Sequence, residues 1–103
     1  MMNLESYKSR TLVDFENITM TGDGMLPTIG DGDLVLIDKA SQEIVDKGVY
    51  AIEYAKKELI CRLVQDGHKI ILASDDGSLN ISVDQHDINV KGRAILINST
   101  RGL

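Results

Sequence analysis

A single cysteine, Cys61, excludes any disulfide within the chain, so packing must hold the fold together and a reducing compartment suits it. Long hydrophobic runs are missing too. The longest, such as Leu34-Val35-Leu36-Ile37 and Ala94-Ile95-Leu96-Ile97, fall far short of a membrane span, and Met1-Met2-Asn3-Leu4-Glu5-Ser6 lacks the basic start and apolar core of a secretion signal. A cytoplasmic location without a membrane partner is therefore expected. Basic excess is also absent: 11 Lys and Arg against 16 Asp and Glu leave a net charge of −5, and no basic patch is concentrated enough to overcome phosphate repulsion. His68 and His86 have no second ligand at metal spacing, while Asp23, Asp31, Asp33, Asp38, Asp75 and Asp76 do not follow the calcium-loop pattern. No metal or cofactor is expected, and these groups read as solvated turn residues.

What remains is ordinary soluble composition, 43% hydrophobic and 26% charged over 103 residues, which fits one globular domain. Short apolar or alternating runs rich in Val, Ile and Leu recur between Gly and Asp punctuation. That pattern predicts a mainly β fold with strands near 33–38, 49–54, 58–65, 69–74, 81–83 and 90–98. Ala55-Lys56-Lys57 and Asp66-Gly67 supply hairpin turns, so consecutive strands should pair antiparallel. Residues 41–47 suggest one helical turn, capped by Ser41, packed through Ile44 and Val45 and stopped at Gly48. Gly92 marks a bulge or a close backbone approach inside the last strand. Residues 1–17 form an arm, a linker remnant or an extra strand, and the domain proper is expected over 18–103.

The most informative segment runs from Met20 to Asp38. Gly22-Asp23-Gly24-Met25, Pro27-Thr28 and Gly32-Asp33, followed by the apolar run from Leu34, resemble the G-D-S-M-x-P-T…G-D signature of the LexA and lambda-repressor family of self-cleaving regulators. Seven positions agree in type and spacing: Gly22, Asp23, Met25, Pro27, Thr28, Gly32 and Asp33. Downstream, Gly48-Val49-Tyr50-Ala51-Ile52, Arg62-Leu63, Leu72-Ala73-Ser74-Asp75 and Gly92-Arg93-Ala94 are similar to further family motifs, so the likeness covers roughly residues 18–98. It implies a LexA-like, signal-peptidase-like domain of antiparallel, strongly bent β-strands with little helix.

Two departures fall on the positions that carry the family's chemistry. Gly24 stands where the family has its nucleophilic serine, and Cys61 where it has the lysine that serves as general base. A serine hydroxyl must give its proton to a nearby base before it can attack, and Gly24 offers no side-chain oxygen at all. The resemblance therefore implies a pseudo-peptidase. Residues 1–23 also contain neither an Ala-Gly nor a Cys-Gly bond of the kind the family cuts.

The expected role is accordingly a dimerisation or higher homo-oligomerisation domain of a phage-type repressor, with DNA gripped only by a domain outside this chain and repression relieved by an antirepressor or ligand. The four successive apolar positions of the last strand need burial on both faces or a partner, and Arg93, Ile95 and Ile97 are the candidate interface. An enzyme reading places a relocated nucleophile at Ser74, Thr21 or Cys61. A third is a binding module that captures another repressor's cleavage segment in the vacated cleft. Backbone N–H groups around Gly24 could also bind an anion such as a peptide carboxylate. Against the second reading, Cys61 has no histidine near it in sequence and reads as a small buried apolar side chain.

Overall fold

The computed structural model describes residues 14–98. Seven strands form one wholly antiparallel sheet: β1 Phe15–Thr19, β2 Leu34–Asp38, β3 Gly48–Tyr54, β4 Lys57–Asp66, β5 Lys69–Ala73, β6 Asn80–Asp84 and β7 Ile88–Asn98, in spatial order β1-β2-β7-β3-β4-β5-β6. The mainly β expectation holds, and no α-helix is among the described residues. Of the readings for residues 1–17, the extra strand applies to Phe15 onward, because β1 crosses the expected boundary; residues 1–13 lie outside the described residues.

Two tight turns set the register of the β3–β6 ribbon. Ala55 and Lys56 both adopt positive φ, 52° and 65°, without a glycine, and Gly67 does so at 63° after Asp66 has closed β4. Positive φ at the central residues twists the chain in the hand that neighbouring strands need. The helical turn expected over residues 41–47 does not form. Tertiary bonds claim its main chain instead: Val45 N donates to Tyr50 Oη at 2.7 Å, Tyr50 Oη donates to Glu43 O at 2.7 Å, and Lys47 N donates to Leu63 O at 2.8 Å with Lys47 at φ 68°. Ile44 packs on the core as expected, whereas Val45 is exposed.

Both faces of β3 are buried, which explains its continuous apolar run. Tyr50 and Ile52 join Cys61, Leu63, Ile70, Leu72 and Val83 in one cluster; Ala51 faces the other, with Met20, Met25, Ile29, Val35 and Ile37. Gly92 is the point where β7 passes between these layers. A Cβ there would overlap the Asp38 carbonyl, and the register skips Lys91, since Ala51 pairs with Gly92 and Ile52 with Val90. Both readings of Gly92, bulge and close approach, therefore apply.

Candidate functional site

The loop joining β1 to β2 carries the signature residues, and its neck is closed by Met20 N donating to Asp33 O and Gly32 N to Met20 O, both at 2.8 Å. Gly22 and Gly32 take positive φ values of 91° and 86°, which side chains resist. Asp31 Oδ1 accepts from Gly22 N at 2.7 Å, across the neck. Inside, Ile29 N donates to Met25 O at 2.9 Å, a single turn that aims both apolar side chains into the core. The Leu26–Pro27 bond is cis. Asp33 corrects an expectation: it is 1% exposed rather than solvated, and its Oδ2 accepts from Gly30 N at 2.8 Å. Asp23 remains an exposed turn residue, its carbonyl accepting from Leu26 N.

Gly24 rests against the turn that follows β5. Its carbonyl accepts from Asp76 N at 2.9 Å, and a Cβ added to it would lie 3.6 Å from Ser74 Cβ, 3.7 Å from Ser78 Oγ and 3.9 Å from Asp76 Oδ1. Those are ordinary contacts, so a side chain at position 24 has room. On the neighbouring strand Arg62 pairs with Ala73, and one further step sets Ser74 level with Cys61. Ser74 thus adjoins both departures from the signature. Cys61 is fully buried among Tyr50, Leu63 and Leu72, and burial pushes its thiol up to about 11 despite an opposing hydrogen bond from the Ala73 main chain.

Hydroxyls and carboxylates around this turn are mutually engaged. Ser74 Oγ donates to Asp76 Oδ1 at 2.8 Å and accepts from Leu79 N at 2.8 Å; Ser78 Oγ donates to the same Asp76 oxygen at 2.6 Å. These donors, Ser78 first, hold the Asp76 carboxyl below the usual carboxylate range. Asp75 was not the solvated residue expected from sequence either. Arg62 grips it through Nε at 2.6 Å and Nη2 at 3.2 Å, Thr28 Oγ1 donates to it at 2.6 Å, and Arg62 Nη1 donates to Lys47 O at 2.9 Å. The Arg62 hydrogen bond, assisted by Thr28, draws the Asp75 carboxyl down. This clamp joins Arg62 directly to Asp75 and Lys47 and, through Asp75, to Thr28, and its members lie too far apart in sequence for spacing to reveal them.

A family model, peptidase S24-like, matches residues 14–95. The chain belongs to that family. No curated protein matches it. The S24-like match begins one residue before β1 and runs into β7, so it covers β1–β6 whole and most of β7. Among the described residues of this S24-like domain, no group of three or more His, Cys, Asp or Glu could hold a metal ion, and no helix is long and apolar enough to cross a membrane. His68 and His86 are exposed, at a turn and in a 3-10 turn.

Two further features of the S24-like domain concern partners. The last residues of β7 pair with β2 alone, since the β3 ladder ends at Arg93, and Ile95, Leu96 and Ile97 are 48%, 60% and 37% exposed. A groove of about 310 Å³ lies between Ile18, Thr19, Met20 and Thr21 on one side and Glu58, Leu59 and Ile60 on the other. Among the described residues no strand pairs with the outer edge of β1, and β5 reaches β4 only from Arg62 onward, so both walls present open strand edges. No sequence signal announced this groove, because a strand was only one of three alternatives for residues 1–17 and nothing in the spacing brings it beside β4.

Proposed function

We propose that this S24-like domain does not cleave peptides and serves as the dimerisation domain of a phage-type repressor. The observation that carries inactivity is the pair of residues at the two positions that depart from the family pattern. Gly24 supplies no hydroxyl although a side chain would fit there, and Cys61, with its thiol held protonated by burial, supplies neither an amine base nor a thiolate. Ser74 is a poor substitute. Its oxygen already accepts from Leu79 N, and the carboxylate that takes its proton is itself a weak base. Thr21, the remaining candidate, is exposed on the groove wall, away from Cys61 in the buried core.

Dimerisation is supported by the exposed end of β7, where Arg93, Ile95 and Ile97 adjoin an open edge and a two-fold copy would cover apolar surface on both chains. Tethering two DNA-binding heads in this way raises the local concentration of the second head at its half-site. Those heads belong outside residues 14–98, and with no cleavage available, release falls to an antirepressor protein or ligand. The setting is cytoplasmic.

Two measurements test this reading. Incubation with a fluorophosphonate probe should leave the chain unlabelled by mass spectrometry; a stoichiometric adduct on one residue, lost on unfolding, overturns inactivity. Sedimentation equilibrium should show a monomer–dimer equilibrium, and a strictly monomeric chain at high concentration overturns the interface.

A second reading, capture of an extended peptide, is favoured by the groove between open strand edges. Main-chain hydrogen bonds to an exposed edge are a general means of holding such a segment, and they need no catalytic group.

A further inference from the structure

We propose that the groove between β1 and β4 selects extended peptides that carry a basic residue two positions from an apolar one. This rests on the peptide-binding reading above and adds a charge preference to it. In the sheet, β1 and β4 are separated by β2, β7 and β3, yet the sheet curls enough for a single ammonium to reach both. Lys91 Nζ lies 2.5 Å from Glu58 Oε2 on β4 and 3.5 Å from Glu16 Oε2 on β1. Lys91 is the residue that the β3–β7 register skips, so the bulge re-aims it.

The two walls read alike. Strand alternation puts Glu16, Ile18 and Met20 on one face of β1 and Glu58 and Ile60 on one face of β4, and Ile18 and Ile60 pack against the same apolar cluster. Glu58 lines the groove two residues before Ile60, and Glu16, two residues before Ile18, stands at the same end, joined to Glu58 through Lys91. One ammonium between two carboxylates leaves that end of the groove with a net negative charge. The Glu16 and Glu58 side chains, 40% and 43% exposed, remain within reach of an incoming group.

A strand laid along either open edge repeats its side chains on one face every two residues, about 6.8 Å apart, which is the repeat of the walls themselves. An apolar side chain seated beside Ile18 and Ile60 thus brings the residue two positions away to Glu16 and Glu58. There a lysine or arginine gains a partner and a carboxylate is repelled. Because the carboxylates are partly exposed, the preference is modest and weakens with salt.

The test is fluorescence anisotropy on the full chain with three labelled eight-residue peptides of alternating threonine and valine, in which one valine is replaced by lysine, glutamine or glutamate. The lysine peptide is expected to bind about fivefold more tightly than the glutamate peptide, with the gap narrowing in about 0.5 M salt. Glu16→Gln keeps the Lys91–Glu58 pair and should bring that ratio close to one, its melting curve verifying the fold. Equal binding of the lysine and glutamate peptides, tighter binding of the glutamate peptide, or an unchanged ratio in the variant overturns the charge selection and leaves peptide capture standing. Binding of none of the three overturns both.

Discussion

The β1–β2 loop and the end of β7 are both short, apolar-containing segments at the margin of the sheet, yet the fold treats them in opposite ways. In the loop, Met25 and Ile29 are fully buried, the neck is closed by main-chain bonds, and Asp33 and Thr28 bind within the domain. At the end of β7, Ile95, Leu96 and Ile97 stay largely exposed and one strand edge has no partner among the described residues. The loop's form can thus be held by packing alone, because residues such as Met25 and Gly32 serve its shape whatever happens at position 24. The β7 residues have no such internal use, so their chemistry points outward.

Three substitutions break or sharpen this contrast. Met25→Ala empties a buried site and should lower unfolding free energy by about 3 kcal/mol in urea titrations; a loss below about 1 kcal/mol would mean that the loop is an appendage rather than part of the core. Asp75→Asn removes the anion from the Arg62 clamp, and because Arg62 is partly exposed the loss should be nearer about 1 kcal/mol at neutral pH. The pH dependence has a definite sign. The folded Asp75 titrates below its unfolded value, so its contribution is complete above about pH 4 and fades as the pH falls through the folded value; the wild type should lose more stability than the variant between about pH 4 and pH 2. Ile95→Lys should change monomer stability by less than about 0.5 kcal/mol while weakening self-association at least about tenfold, read by sedimentation.

Much of this was legible in the sequence, for identifiable reasons. The six predicted strands correspond to β2–β7 because their Val, Ile and Leu runs alternate between turn residues, while Gly67 takes the positive φ of a tight turn and Gly92 lies where a Cβ would overlap the Asp38 carbonyl. The family was legible because its signature is local. β1 was less so, since Phe15-Glu16-Asn17-Ile18-Thr19 is half polar and gains its place only by pairing with β2. Residues 41–47 misled because their capping pattern is local while the bonds that override it come from Tyr50 and Leu63. The Arg62–Asp75–Thr28 clamp and the Lys91 bridge were invisible, as each joins residues that only the curled sheet brings together.

β7 has a consequence for how the domain is made. Among the described residues it is the last strand, yet it lies third in the sheet, joining the β1–β2 pair to the β3–β6 ribbon, which do not pair with each other. A ribosome therefore delivers two unjoined ribbons first, and closure waits until β7 itself has left the exit tunnel.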